Sequence, residues 1–552
     1  MKKRKYSLGL DFGTESVRCL AVDIASGEEK AVAVSAYADG VITQRVPGTQ
    51  TVLKNNWALQ NPSDWLSGLK GVVCRVLKDG RISAEEVVGL GICFTSCTVL
   101  PTTEDGTPLC FLPEWVSEPH AWPKLWKHHA AQPQADLIND LAKQESELWL
   151  RRYGGLISSE WLFPKALQIL QESPKCFAAT QRFIEGGDWL VWKLSGREMR
   201  SVCQAGYKGL WNAIDGYPSY SFLEKLNEGF GQIINKLGEK VYPIGACAGG
   251  LTSEMASQLN LFPGTPVSVS IIDAHSALVG SGIAVPGKML MAMGTSTCHM
   301  MVSEDEVFME GVAGVVKDGI IPGYHGYESG QSAVGDIFAW VINYGVPEAY
   351  YDESEELGIS LHELLIRKSV GQTAGSHGLL ALDWLNGNRS VLMNSDLSGI
   401  LVGLSLNTKP EDIYRAMIEA TAFGTRMIIN GYENNGIEVK ELYACGGLTS
   451  NEFLLQVYSD VIGLNVRVTT SSQTTALGGA ILGAMAAGLK GGGYDSYEEA
   501  VGEMTKPAQR LYRPDPINQK IYSEMFQNYV LLHDYFGRKN PSIMRALGRF
   551  VR

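Results

Sequence analysis

The sequence predicts an α/β protein of two large domains, and three observations carry that prediction. At 552 residues the chain is well past the size at which a single hydrophobic core stops growing. Short apolar strands alternate with amphipathic helical stretches along its length. An apolar strand, a small hydroxyl-bearing turn and a returning strand occur twice, with Gly13-Thr14 of the first copy lining up with Gly294-Thr295 of the second, 281 residues on. Composition agrees. Apolar residues make up 45% and charged residues 19%, which is globular. Many of the 61 glycines fall in pairs or in Gly-Thr and Gly-Ser steps, which suits tight turns between strands.

The elements follow in chain order. Residues 6–36 read as strand, turn, strand, turn, strand, the last of them Lys30–Ala36 with alternating polarity. Asn61-Pro-Ser-Asp-Trp65 starts a helix, with Pro in its first turn and Trp65, Leu66, Leu69, Val72 and Val73 on its apolar face. Val87–Phe94 is a buried strand that stops at Thr95-Ser96-Cys97-Thr98. Residues 135–182 read as helical, interrupted at Gly154-Gly155 and Pro164, and Phe183–Trp189 opens a further helix. Pro266–Ile272 is a second interior strand; it ends on Asp273, with a helix starting behind it at Ala274. Pro286-Gly287 punctuates next, so the domains are expected to be 1–285 and 286–552. The second half continues with a helix over about 411–432, the strand Leu442–Cys445, the turn Gly446–Asn451, a helix over 452–463 and the strand Asn465–Thr469. A helix rich in small residues spans Thr475–Ala487, and a terminal helix spans Ile517–Tyr535.

Several classes drop out. The net charge of -12 argues against a nucleic-acid surface. No apolar run reaches the length of a membrane helix, and the first apolar stretch is too short for a signal peptide, so a cytoplasmic protein without a membrane partner is expected. The ten cysteines include no Cys-x-x-Cys pair, which reads as reduced thiols rather than a metal site. There is no ordinary P-loop, no Gly-x-Ser-x-Gly elbow and no His-Glu-x-x-His.

The chemistry is expected at four strand ends: Asp11 to Ser16, Asp273, Gly294 to Ser296, and Gly446 to Asn451. Turn amides and hydroxyls at Gly13, Thr14, Ser16, Gly294 and Thr295 suit phosphate oxygens, and the Asp11 carboxylate suits a hard cation. Two domains that each present such a turn can clamp one nucleotide between them. Gly446-Gly447, just before a helix, would let the backbone approach an adenine or α-phosphate. Asp273 has two readings from sequence, a rigidly aimed general base or a helix N-cap. Trp122 and Trp126 are one helical turn apart, as pocket lining or as a packed core face.

Together these motifs resemble the FGGY carbohydrate kinases. The residues that carry the resemblance are Leu10-Asp11-Phe12-Gly13-Thr14-Glu15-Ser16, Asp273, Gly294-Thr295-Ser296, Gly446 to Asn451, Ser459 to Asn465, and Ala476-Leu-Gly-Gly-Ala480; it extends over roughly residues 6–490. The resemblance implies the actin/hexokinase/Hsp70-like (ribonuclease H-like) ATPase fold with an interdomain cleft. It also implies ATP as phosphoryl donor, Mg2+ near Asp11, Asp273 as catalytic base, and nucleotide contacts from Gly446, Gly447 and Asn451. Phe94–Thr98, Glu185–Trp189, Ala205–Lys208, Ile272–His275 and Gly326–Gln331 look most like the branch of the family that phosphorylates L-ribulose at its C5 hydroxyl in L-arabinose catabolism. That branch implies a ketopentose held by Ser96, Lys208, Asp273 and Glu328, and a homodimer. Asp273-Ala274 and Thr95-Ser96-Cys97 depart from the Asp-Gln and Gln-Arg-Glu runs of glycerol kinases, which argues against glycerol. The rivals are a kinase of D-ribulose, D-xylulose or L-rhamnulose, an actin- or Hsp70-like conformational ATPase, and an inactive sugar sensor.

Overall fold

The computed structural model describes residues 4–548 apart from residue 239. Two seven-stranded sheets of matching order form its frame. In the first, Glu29–Ala36, Ser16–Asp23 and Tyr6–Phe12 run antiparallel to one another. Val87–Phe94 then lies parallel to Tyr6–Phe12, Pro266–Ser268 lies parallel to it, and Cys247–Gly250 returns antiparallel at the edge. In the second, Gly314–Lys317, His325–Gln331, Thr297–Ser303 and Lys288–Met293 are antiparallel, Glu441–Cys445 and Val466–Val468 are parallel, and Arg510–Tyr512 closes the edge antiparallel. The faint repeat in the sequence is therefore a repeat of the whole sheet. The central strands are buried on both faces, as strands covered by helices must be.

Local sequence chemistry accounts for most element boundaries. Pro62–Gly80 is a helix because Asn61 caps it, its side chain accepting from the amide of Ser63, and Pro62 occupies the first position. Pro410–Asn434 likewise begins on a proline. Three expectations fail. Pro164 does not interrupt a helix; it is the third residue of Leu162–Glu172, where its missing N–H would have no partner anyway. Arg182–Glu185 is a strand paired with Val99–Thr102, and the helix begins after it at Gly186. The long strand ending on Asp273 is two short ones, Pro266–Ser268 and Ile271–Ile272, both alongside Val87–Phe94.

The two halves exchange helices. Asp273–Gly280, the last helix before the chain crosses into the second sheet, packs on Thr474–Gly491 and touches the strands Lys288–Met293 and Thr297–Ser303. Thr474–Gly491 comes after the second sheet's parallel strands, yet it lies on Tyr6–Phe12 and Val87–Phe94 of the first. Its seat is backbone on backbone. A Cβ on Gly9 would collide with the carbonyl of Ala476, and one on Gly91 with that of Gly479. This explains the small-residue composition of the helix, which is a packing requirement. Among the described residues, no helix is long and apolar enough to cross a membrane.

Candidate active site

The two phosphate-type turns are each closed by a glycine amide, the first turn being one residue longer than the second. The Gly13 amide donates to the Ser16 carbonyl at 2.9 Å, and the Gly294 amide donates to the Ser296 carbonyl at 2.8 Å. Each closes the hairpin between the first two strands of its sheet. The Thr14 side chain is held from outside the hairpin: its Oγ1 accepts from Trp126 Nε1 at 3.1 Å, and its carbonyl accepts from Gln60 Nε2 at 2.7 Å. Trp126 thus belongs to the site, whereas Trp122 is a core residue whose ring N–H goes to the Val116 carbonyl. The second turn docks on the start of helix Gly335–Gly345, where the Thr295 carbonyl accepts from the Val334 amide at 2.7 Å. Asp11 sits opposite Arg18 in the hairpin, with Arg18 Nη1 3.4 Å from its Oδ2. Burial outweighs that cation and raises the Asp11 carboxyl to about 6. The matching position in the second hairpin is Ala292, paired with Cys298.

Asp273 opens its helix rather than capping it. The N-cap position is Ile272, which offers no side-chain bond, and among the described residues Asp273 Oδ1 accepts one hydrogen bond, from the neighbouring Ala274 amide at 2.7 Å. The capping alternative therefore falls away, and the second carboxylate oxygen is left for other work. Burial raises this carboxyl to about 7, and the negative charges of Asp11 and Glu328 push in the same direction. Asp11, Asp273, Glu328 and Lys208 thus share one electrostatic site.

Beside Asp273 lies a buried ionic cluster. Lys208, at the end of helix Val202–Lys208, places Nζ 2.8 Å from Glu328 Oε2. Glu328, on the strand His325–Gln331, also accepts from Arg389 Nη2, and His275 Nε2 lies 3.4 Å away. Burial alone would raise Glu328; Lys208 and Arg389 outweigh it and hold the carboxyl down to about 2. His275 is pushed down to about 4 by burial, so it is neutral near pH 7. Lys208 is no surface lysine, since its side chain is buried and its ammonium stands over the Trp161 ring at 5.3 Å. Ser96 lies on the loop after Val87–Phe94, tied to the phosphate hairpin where the Thr95 amide donates to the Phe12 carbonyl at 3.1 Å. Sequence reasoning missed Arg389, which arrives from an irregular segment between the strands Leu380–Leu382 and Ile400–Val402 with no periodicity to mark it. His275 enters the sequence reading only as part of the Ile272–His275 run, with no role of its own.

On the nucleotide side, Gly446 has φ +97 and passes so close to the Met293 carbonyl that a Cβ would collide with it. This sets Gly446-Gly447 beside the second phosphate turn. The helix does not follow at once: a short 3-10 turn, Gly447–Ser450, intervenes before Glu452–Ile462. Asn451 caps that helix, its Oδ1 accepting from the Leu454 amide at 3.0 Å, so only its amide nitrogen stays free for a ligand. Among the described residues there is no cluster of three or more metal-ligating side chains. The donor set still fits a cation that arrives on a triphosphate. Asp11 raises the proton affinity of Asp273, and among the described residues Asp11 has a distant Arg18 as its ion-pair partner.

The comparisons with known proteins agree with this arrangement. Solved structures with the same fold include a xylulose kinase from Rhodospirillum rubrum, with TM-score 0.78 and 20% identity, covering 96% of this chain and 99% of that one. A gluconate kinase from Lactobacillus acidophilus has TM-score 0.79 and 17% identity, with 98% and 100% covered. At those identities they show the fold alone, the two-domain ATPase fold of the sugar kinases. In sequence the chain is 48% identical to a ribulokinase of Halalkalibacterium halodurans over 98% of this chain and 97% of that protein. It is also 48% identical to one of Geobacillus thermodenitrificans, with 99% and 97% covered. Residues 6–280 match the N-terminal domain, and residues 289–487 the C-terminal domain, of the FGGY family of carbohydrate kinases. With both hairpins, the Asp273 carboxylate and the buried ionic cluster in place, the chain belongs to that family.

Proposed function

We infer that the protein transfers the γ-phosphoryl group of ATP to the C5 hydroxyl of L-ribulose, giving L-ribulose 5-phosphate and ADP. The observation that carries this reading is the Asp273 carboxylate, raised to about 7 and flanked by the buried Lys208–Glu328–Arg389 cluster. A conformational ATPase would need the phosphate turns but no such cluster. The full-length likeness to ribulokinases favours L-ribulose over other ketoses.

In the reaction, Thr14 and Thr295 present amides and hydroxyls to the phosphate oxygens, where negative charge spreads in the transition state, while the Gly13 and Gly294 amides are spent on closing the two turns. Trp126 fixes the Thr14 hydroxyl for that task. Asp11 would hold a Mg2+ ion carried on the triphosphate, and that ion would supply neutralisation of phosphate charge. Ser96, Lys208 and Glu328 orient the ketose, with Lys208 a donor to its oxygens. Asp273 accepts the hydroxyl proton at its free oxygen as the sugar oxygen attacks phosphorus in line. A pKa of about 7 matches proton abstraction near neutral pH. Residues 1–285 would supply the first phosphate turn, Ser96, Lys208 and the base, and residues 286–552 the nucleotide seat, with domain closure excluding water. The family likeness also supports a homodimer, which sedimentation equilibrium tests.

Release of ADP measured across L-ribulose, D-ribulose, D-xylulose and L-rhamnulose tests the reading. L-Ribulose should give the highest kcat/KM. Another ketose in first place would correct the substrate, and ATP turnover indifferent to every ketose would sink the reading.

A further inference from the structure

Lys165 is a charged side chain with no exposure at all and no carboxylate within ion-pair distance among the described residues. It sits in the first turns of helix Leu162–Glu172. Its ammonium has three protons, and three backbone carbonyls receive them: Cys97 at 2.5 Å, Leu125 at 2.9 Å and Lys124 at 3.2 Å. Burial holds the ammonium below its ordinary pKa, outweighing the Glu185 and Glu160 carboxylates that favour its charge from a distance, so a buried apolar residue would fill the same space at less cost. The position of those carbonyls is informative. Cys97 follows Ser96 directly and holds φ at +56, a left-handed conformation that is strained for a residue with a side chain. Leu125 precedes Trp126, whose ring N–H fixes the Thr14 hydroxyl of the first phosphate turn. One ammonium therefore grips both the loop that carries a sugar-side residue and the segment that braces a phosphate-side residue.

We propose that Lys165 is a positioning residue that sets the sugar-side loop at Ser96-Cys97 against the phosphate-side brace at Leu125-Trp126, so that the ketose hydroxyl and the γ-phosphoryl group meet in register. The proposal rests on the reading of the protein as a ketose kinase that uses Ser96 and Thr14. The three bonds hold the strained Cys97 backbone in place and add to the paired backbone bonds between Val99 and Lys124, at 3.1 and 2.9 Å, that already join the two segments. Without them Ser96 relaxes, the ketose is held loosely, and water competes for the phosphoryl group. A displacement of about 1 Å at a reacting centre can cost on the order of a hundredfold in rate.

The test is Lys165→Met, which keeps the length and volume of the stem and removes all three donors. The ketose KM is expected to rise about tenfold or more, the ATP KM to stay within about twofold, and the share of ATP lost to water to rise. Lys165→Arg, which keeps donors, should recover part of both effects. A merely structural lysine would lower the active fraction, leaving the ketose KM and the water share at wild-type values, and that result overturns the proposal. Trp126→Phe, which removes the Thr14 bond, completes a double-mutant cycle: coupling between the two sites is expected, and strict additivity also overturns the proposal. If Lys165→Met does not fold, Lys165→Arg carries the test alone, because a planar fork cannot satisfy all three carbonyls; wild-type KM and water share in that variant refute it. Wild-type enzyme is assayed on the ketose panel first, so failure of the kinase reading is seen before, and separately from, failure of this one.

Discussion

Replacing Asp273 with Asn separates chemistry from architecture at a single atom. Asn keeps an oxygen that can accept the Ala274 amide, the one hydrogen bond the carboxylate makes. It cannot take a proton from the sugar. General-base catalysis contributes about 10²–10⁴-fold, or about 3–5 kcal/mol of barrier, so kcat should fall by at least a hundredfold while ketose affinity stays within about threefold. The pH profile adds a second reading. With the Asp273 carboxyl at about 7, wild-type activity should rise tenfold per pH unit below that value and level off above it; at pH 6 only about a tenth of the base is ionised. The Asn variant should lose that limb. Stability should move the other way. The folded carboxyl binds its proton more tightly than the unfolded one, whose ordinary value is 3.8, so this group costs the native state stability progressively as pH rises from about 4 to about 7. Asn removes that cost, and Asp273→Asn should melt no lower than wild type at pH 8. Steady-state kinetics from pH 5.5 to 9 and calorimetry at pH 8 supply the measurements. A variant within tenfold of wild-type kcat, or one that keeps the acidic limb, refutes the base assignment.

Glu328→Gln removes the one carboxylate that Lys208 and Arg389 share, leaving two cations facing each other. A broken buried pair costs about 3–5 kcal/mol, or about 3–4 °C in Tm for a chain of this length; a shift under about 1 °C in a thermal melt would contradict the burial argument. Because Glu328 is held at about 2 against its ordinary 4.5, its stabilisation is fully present above about 4.5 and fades as pH falls toward 2, so the deficit of the variant should narrow in acid. Arg389→Met is expected to raise the ketose KM at least tenfold and leave the ATP KM unchanged; an unchanged ketose KM removes Arg389 from the site. Gly91→Val drives a side chain into the Gly479 carbonyl and should destabilise by more than about 4 kcal/mol in urea unfolding. Gly431→Ala, on an open helix face, should stabilise by roughly 0.5–1 kcal/mol.

The sequence made the hairpins legible because their signal is local. An apolar strand, a Gly-Thr turn and a second strand lie within a dozen residues, and both copies form as expected. Lys208 and Glu328 were legible only through family resemblance. They are 120 residues apart in the chain, and nothing in either neighbourhood marks a buried ion pair. Arg389 was illegible for the same reason, since its purpose appears only once Glu328 is beside it. Local rules misled where tertiary contacts override them: Pro164 reads as a breaker yet sits in a first turn, and Arg182–Glu185 reads as the start of a helix until Val99–Thr102 is there to pair with it. The N-cap alternative for Asp273 needed the backbone angles of Ile272 to be decided.

Exchange of helices between the halves has a consequence for how this chain can be cut. A fragment ending near residue 285 would carry the complete first sheet with its glycine face open to water. That face is shaped to the carbonyls of Ala476, Gly479 and Gly483, with Ser7 Oγ donating to the Ala480 carbonyl at 2.6 Å. A substitute helix with larger side chains could not come close enough to fill it. The two halves repeat one another in topology but are interdependent in folding. Each supplies the lid that shields the other, and the linker between them is a poor place to divide the gene.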